Sequence, residues 1–135
     1  MSDPQRHKQP TVLVVEDDEQ VRAFLCSLLT TEGYSVVQAS TGEEGLQKGL
    51  KSGCQIDLLL SDMLLPELSG FDLAERLMHA CPQLRVLFIT GYVEGDIVQR
   101  SVDELGASFL DKPFMPSALL QRVREAIGSP KAVSQ

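Results

Sequence analysis

Short apolar runs alternate along the chain with longer amphipathic segments. The apolar runs are TVLVV, YSVVQA, IDLLLS, RVLFIT and ASFL, at residues 11–15, 34–39, 56–61, 85–90 and 107–110. Each has the length of a strand and is rich in Val, Leu, Ile or Phe. The first, third and fourth runs are almost unbroken, which is typical of strands that are covered on both faces, as in a parallel sheet.

The segments between the runs have the periodicity of helices with one apolar face. Apolar side chains recur at helical spacing in residues 19–31, 71–81 and 117–127. Pro82 follows the second of these segments, and Pro116 stands near the start of the third, where proline is tolerated in a helix. These patterns predict helices that bury one face each.

The helix after the second run has the weakest pattern. Thr41 followed by glycine indicates its start, and Gly53 indicates its end. Gly45 and Gly49 lie inside it, and each costs up to ~1 kcal/mol of helix stability relative to Ala.

Strand and helix thus alternate five times. This alternation predicts an α/β fold with a five-stranded parallel sheet, right-handed crossovers and helices on both faces. We expect residues 1–10 to form a flexible N-terminal tail, residues 11–128 to form one folded domain, and residues 129–135 to form a C-terminal tail.

Composition and charge narrow the function classes. The chain has 135 residues, of which 43% are hydrophobic, and a net charge of −7 at pH 7. The negative charge disfavours direct binding of nucleic acid. No apolar run approaches the ~20 residues of a membrane helix, which excludes membrane insertion. The first ten residues lack the apolar segment of a signal peptide. We therefore expect a cytoplasmic protein.

The three cysteines, Cys26, Cys54 and Cys81, are odd in number and far apart. Disulfide frameworks and zinc sites usually show paired or closer spacing. We therefore expect three free thiols in a reducing compartment.

Polar residues follow four of the predicted strands. Glu16 and Asp17 follow the first strand, Asp62 ends the third, Thr90 ends the fourth, and Lys112 follows the fifth. Ligand sites of open α/β sheets lie at the carboxyl ends of the strands, where the strand order reverses. We therefore expect these side chains to share one edge of the sheet.

The polar residues at these strand ends also have purely structural interpretations. Asp18 or Glu19 would serve as an N-cap, and Asp62 as a turn former. Thr90 would be an ordinary strand residue, and Lys112 a solvated charge. Any one of them alone favours the structural interpretation. Their combination at one edge of one sheet favours a functional site.

The clustered acids predict a metal site. Glu16, Asp17 and Asp62 would disfavour one another's ionisation unless a cation joins them. Carboxylate oxygens without nearby Cys or His select a hard cation, and Mg²⁺ fits because it takes one or two carboxylates and often adds phosphate oxygens. A carboxylate beside Mg²⁺, Lys112 and the Thr90 hydroxyl can attack a phosphoryl group.

Four motifs carry a family resemblance. VLVVEDD, DLLLSDMLLPELSGFDL, VLFITGY and FLDKPF occur in this order. Over residues 11–127 the chain resembles the receiver domain of bacterial two-component response regulators, including the chemotaxis response regulator and the receivers of hybrid histidine kinases. The resemblance implies a flavodoxin-like, doubly wound (βα)5 fold with strand order 2-1-3-4-5.

The resemblance implies a role for each acidic-site residue. Asp62 matches the phosphoacceptor aspartate. Asp17 matches a direct Mg²⁺ ligand, and Glu16 matches an acid that acts on the metal through water. Leu64 would give its backbone carbonyl to the metal.

The resemblance also implies a switch. Thr90 matches the switch hydroxyl, Lys112 matches the family's lysine, and the bond from Lys112 to Pro113 matches a cis peptide. Phe109 occupies the aromatic switch position but lacks the hydroxyl that Tyr would have there, so that a switch must work by packing alone. Asp111 is a second departure: it either points away from the site or competes for Lys112.

The expected function is that of a phosphoacceptor receiver that takes a phosphoryl group from a histidine kinase or phosphotransfer protein onto Asp62. It would catalyse only its own Mg²⁺-dependent phosphorylation and dephosphorylation. The implied output is a conformational switch read on the face of the fourth helix, fifth strand and fifth helix, around residues 94–127, where a homodimer could also form. Leu64 and Tyr92 flank the site and would influence the lifetime of the phosphoryl group.

Three other function classes remain to be weighed. A degenerate receiver would bind partners without phosphorylation, yet every acceptor-site residue is present. A flavin-binding protein would need phosphate-cradling amides where this chain has acids. An aspartyl phosphatase would need a second Asp where Leu64 stands.

Overall fold

A computed structural model describes residues 9–91 and 95–130, which form five strands and five helices in strict alternation. The elements are β1 (Thr11–Val15), α1 (Glu19–Glu32), β2 (Ser35–Ala39), α2 (Gly42–Lys51), β3 (Leu58–Asp62), α3 (Gly70–Ala80), β4 (Arg85–Thr90), α4 (Gly95–Leu105), β5 (Ser108–Asp111) and α5 (Pro116–Ile127). The predicted tail residues 1–8 and 131–135, and Tyr92, lie outside the described residues.

The five strands form one parallel sheet in the order β2-β1-β3-β4-β5. This confirms the predicted fold class and strand order. The order reverses between β1 and β3, so the ends of these two strands lie side by side where a ligand crevice forms in such sheets. The acids that follow β1 therefore stand beside the acid that ends β3.

The sheet separates two hydrophobic layers, because alternate strand residues point to opposite faces. One layer joins Leu13, Leu59 and Phe88 to helices α2, α3 and α4. The other joins Val14 and Leu60 to helices α1 and α5. The middle strands are buried on both faces, as their unbroken apolar sequences predict, and the edge strands β2 and β5 are more exposed.

Helix α2 contains interior glycines because larger residues at these positions would not fit against the neighbouring side chains. A Cβ on Gly45 would stand 2.8 Å from Cγ2 of Val15, and one on Gly49 would stand 2.6 Å from Cδ2 of Leu77. The helix gains stability at its start, where the Thr41 hydroxyl accepts a hydrogen bond from the Glu44 amide. The helix ends at Lys51 with Ser52 as its C-cap, one residue before the predicted Gly53.

The prediction of three free thiols is wrong. Cys54 and Cys81 form a disulfide with Cα atoms 5.5 Å apart, and Cys26 is the free cysteine. Cys54 lies in the connection from α2 to β3, and Cys81 lies at the end of α3, just before the connection to β4. Because β3 and β4 are parallel neighbours, both connections enter the sheet at the same edge, so cysteines 27 residues apart meet.

No helix within residues 9–91 and 95–130 combines the length and the hydrophobicity that crossing a bilayer requires.

Substituting Gly45 tests whether α2 is limited by packing or by helix propensity. Propensity alone would favour Gly45→Ala by about 1 kcal/mol. We expect instead a loss of about 1–3 kcal/mol in the free energy of unfolding, because the added methyl overlaps Val15 in the tightly packed core.

Gly95→Ala is the matched control, since a Cβ there meets no atom within 4 Å among the residues that the structure describes. We expect that variant to be as stable as the parent or more so. Urea denaturation of both variants is the measurement, and equal stability changes at the two glycines would contradict this packing account.

Candidate functional site

The carboxyl edge of the sheet gathers the predicted site residues. Glu16 and Asp17 leave β1, Asp62 is the last residue of β3, and Thr90 is the last residue of β4. Lys112 follows β5 and is tied to the edge of β4, because its backbone amide donates to the Thr90 carbonyl at 2.7 Å. The parallel register thus brings residues nearly 100 positions apart into one site.

Asp62 is held through both of its carboxylate oxygens. Oδ1 accepts from the Leu64 backbone amide at 3.0 Å, and Oδ2 accepts from the Lys112 ammonium at 2.9 Å. Asp62 is 9% exposed, so the ion pair is partly shielded from water. A glycine is required nearby: a Cβ on Gly70 would stand 2.4 Å from the Asp62 carbonyl oxygen. This close approach brings the start of α3 against the acceptor strand.

Glu16 is the most buried acid of the site. It is 2% exposed, and its Oε2 accepts from the Asp18 amide at 3.0 Å, whereas its Oε1 is buried without any hydrogen-bond partner among the described residues. Burial raises the pKa of the Glu16 carboxyl, and the negative charge of Asp62 raises it further. The Asp18 amide and Lys112 only partly offset this. An unpartnered buried carboxylate oxygen calls for a cation.

The acids can converge on one ion. Single carboxylate oxygens of Glu16, Asp17 and Asp62 lie within 4.8 Å of one another. Asp18 takes no part in this group, because its carboxylate caps α1 by accepting from the amides of Gln20 and Val21. An all-oxygen set containing one orphaned oxygen fits Mg²⁺.

Lys112 supplies the positive charge at the site. Burial lowers its pKa, but the hydrogen bond to Asp62 and the charges of Asp62, Glu16 and Asp17 outweigh burial, so the pKa of Lys112 is raised. Because its pKa is raised, the Lys112 ammonium stays charged through the physiological range. The peptide bond between Lys112 and Pro113 is cis, as predicted.

Thr90 belongs to the site by position but not by hydrogen bonding. It is 4% exposed, and its hydroxyl donates to Oδ1 of Asp111 at 3.4 Å. Phe109 is half-buried and packs on Phe88, with ring centroids 5.7 Å apart. The Asp111 side chain does not point away from the site residues, and it does not pair with Lys112. Its carboxylate accepts the hydrogen bond from the Thr90 hydroxyl.

Two contacts were not foreseen from the sequence. The guanidinium of Arg22 donates to the Glu16 carbonyl at 2.8 Å, which fixes the backbone where β1 turns into the acidic pair. The contact from Thr90 to Asp111 is the other. Strand order and register alone would have indicated the latter, because Thr90 and Asp111 are paired positions on neighbouring strands.

Comparison with known proteins identifies the class to which this fold and site belong. The response regulator receiver domain matches residues 12–124, so the chain belongs to this family. The site just described lies wholly within the matched region.

Individual relatives agree with this assignment. The response regulator receiver protein CpdR of Brucella abortus (strain 2308) is 30% identical over 86% of this chain and 95% of its own. The sensor kinase CckA of the same organism is 32% identical over 87% of this chain and 12% of its own. A CheY-like receiver domain protein from Methanospirillum hungatei JF-1 superposes with a TM-score of 0.81 at 30% identity, over 87% of this chain and 93% of the other.

The chain spans between 12% and 31% of the length of several curated relatives that it matches. The shared unit is the receiver, and receiver domains interact with histidine kinases or phosphotransfer proteins.

The raised pKa of Glu16 gives a pH-dependent prediction for metal-free protein. An acid whose pKa is raised on folding opposes folding once it ionises, so its cost is absent at low pH, grows as pH rises from the ordinary pKa to the raised one, and is complete above the raised pKa. Gln cannot ionise. We therefore expect Glu16→Gln to increase the free energy of unfolding by about 1 kcal/mol at neutral pH.

Urea denaturation in chelator at neutral and acidic pH is the measurement, with exposed Glu75→Gln as the neutral control. The gain from Glu16→Gln should disappear at acidic pH. A loss of stability at neutral pH would show that Glu16 is already adequately paired.

Proposed function

We propose that this chain accepts a phosphoryl group on Asp62 in a Mg²⁺-dependent reaction. The observation that supports this most strongly is the environment of Asp62. Its carboxylate is bonded to the Lys112 ammonium, and the orphaned oxygen of Glu16 stands in the same acidic group. Membership in the receiver family supports the same reaction.

The chemistry is a displacement at phosphorus. A carboxylate oxygen of Asp62 forms a bond to the phosphorus of a phosphohistidine, the phosphorus–nitrogen bond breaks, and the imidazole leaves with the bonding electron pair. Lys112 pairs with an equatorial phosphoryl oxygen as its hold on Asp62 is released. Glu16, Asp17, Asp62 and the Leu64 carbonyl would hold Mg²⁺, which offsets charge on the phosphoryl oxygens. Catalysis is limited to the chain's own phosphorylation and dephosphorylation.

Thr90 and Phe109 would transmit the phosphorylation of Asp62 to the surface of the domain. A phosphoryl oxygen on Asp62 is a strong charged acceptor, and the Thr90 hydroxyl would turn inward to donate to it. Phe109 lies on the same face of the neighbouring strand, two residues before the position paired with Thr90, and its ring packs on Phe88. Inward rotation of that ring would alter the face formed by α4, β5 and α5, which a partner or a second copy could read.

An apolar surface beside the site suits the phosphodonor. Phe24 is 48% exposed on α1. It lines a shallow groove together with Val21, Pro113, Phe114 and Lys112. Exposed apolar groups that line one groove are typical of protein interaction sites, and this groove shares Lys112 with the acceptor site.

The alternative of a degenerate, phosphorylation-independent module has no observation in its favour. The acceptor, its acidic neighbours, the lysine and the hydroxyl all stand at one edge of the sheet.

The acceptor assignment is tested by incubating the protein with phosphoramidate and Mg²⁺. We expect one added phosphoryl group by intact mass, lost in Asp62→Asn and in chelator. Asp72→Asn, an exposed acid at the start of α3, should label like the parent. Undiminished labelling of Asp62→Asn would remove Asp62 from the role of acceptor.

The docking assignment is tested with Phe24→Ala. Its phosphotransfer rate from a phosphorylated histidine kinase that labels the parent should fall about fivefold or more, as loss of an aromatic interface anchor does. Labelling by phosphoramidate should not change, because this small donor needs no protein docking surface.

Leu50→Ala is the matched control, since Leu50 is equally exposed, at 49%, but lies near the end of α2. A fall with Leu50→Ala equal to that with Phe24→Ala would argue against a donor surface on α1.

A further inference from the structure

The hydroxyl of Thr90 already has an acceptor in the unphosphorylated protein. It donates to Oδ1 of Asp111 at 3.4 Å. The two residues are paired across β4 and β5, so their side chains emerge on the same face of the sheet, the face that also carries Phe88 and Phe109. Thr90 is buried, whereas Asp111 is exposed.

We propose that Asp111 is a positioning residue that holds the Thr90 hydroxyl away from Asp62. It thereby sets how readily phosphorylation of Asp62 draws that hydroxyl inward. This inference rests on the function proposed above, because it assigns a competitor to the hydroxyl that the phosphoryl group recruits. Asp111 touches neither the acceptor nor the acidic pair, and its effect on the site passes through Thr90.

The competition follows from the chemistry of a hydroxyl. Threonine has one O–H proton, so donation to Asp111 and donation to a phosphoryl oxygen on Asp62 exclude each other. The carboxylate of Asp111 bears no ion pair with Lys112, whose ammonium is bonded to Asp62. The hydrogen bond that the structure shows for the Asp111 side chain is the one from Thr90.

The length of the contact suits a restraint that yields. At 3.4 Å it is longer than a strong O–H to carboxylate hydrogen bond, so its net contribution is small, and solvent around exposed Asp111 weakens it further. A phosphoryl oxygen at normal hydrogen-bond distance would therefore outcompete it. In the unphosphorylated protein, the contact therefore favours the conformer in which the Thr90 hydroxyl faces Asp111. It does not prevent the conformer in which the hydroxyl faces Asp62.

Beryllofluoride, a phosphoryl analogue that binds an aspartate together with Mg²⁺, measures this bias. Binding must break the contact in the parent protein but not in Asp111→Ala. We expect Asp111→Ala to bind beryllofluoride roughly two- to fivefold more tightly. Asp111→Asn keeps an oxygen acceptor but loses the charge, and we expect an affinity between those of the parent and of Asp111→Ala.

Thr90→Val separates this effect from simple charge repulsion. With no hydroxyl to hold, Asp111→Ala in the Thr90→Val background should change the affinity by less than about 1.5-fold, the signature of two coupled residues. If Asp111→Ala and Asp111→Asn tighten binding equally, and do so in the Thr90→Val background too, Asp111 acts only as a repelling charge and the proposal is overturned.

A second readout is the NMR spectrum of the ligand-free protein. In ligand-free protein, the methyl resonance of Thr90 and the ring resonances of Phe109 should shift in Asp111→Ala toward their beryllofluoride-bound positions. Unchanged resonances would overturn the proposal. If the parent fails to bind beryllofluoride while Asp111→Ala still shifts the Thr90 and Phe109 resonances of the ligand-free protein, the result would instead count against the proposed phosphoacceptor function.

Discussion

The crowding of negative charge at one edge of the sheet is the constraint on which the rest of this structure depends. Glu16, Asp17 and Asp62 share that edge, and Lys112 is the cation paired with Asp62 in the described part of the chain. Three carboxylates and one ammonium leave the site with excess negative charge. Within it, one buried carboxylate oxygen of Glu16 has no hydrogen-bond partner among the described residues. The proposed function accounts for this arrangement, because a site that attracts a metal and a phosphoryl group is not at its most stable without them.

The scaffold explains how such a site can persist. The strands that carry the acids, β1 and β3, are buried on both faces and pack into both hydrophobic layers. Their backbone positions are fixed by apolar contacts that do not depend on the state of the site. Close approaches at Gly45 and Gly70 hold α2 and α3 tightly against the same strands. The apolar contacts of this framework therefore offset the electrostatic cost of the site.

Much of this organisation was predictable from the sequence because it follows from period and position. Unbroken apolar runs identified the buried middle strands, and the residue at each strand end identified the edge where Glu16, Asp62 and Lys112 meet. The disulfide between Cys54 and Cys81 was missed, because sequence spacing does not show that two connections enter the sheet side by side. The contact of Arg22 was missed because it depends on side-chain direction, which the apolar pattern does not encode. The contact of Asp111 with Thr90 was missed because it depends on the register of β4 and β5, which the apolar pattern does not give either.

The dependence of the fold on a bound cation is the most direct test of this account. Thermal unfolding should be followed while Mg²⁺ is titrated at constant ionic strength, in the parent and in Asp17→Ala. A cation that binds only the folded state at about ten times its Kd adds roughly 1.4 kcal/mol of stability. The account predicts that Mg²⁺ stabilises the parent in this way and leaves Asp17→Ala unaffected. A parent whose unfolding is indifferent to Mg²⁺, or an Asp17→Ala protein that responds as the parent does, would contradict it.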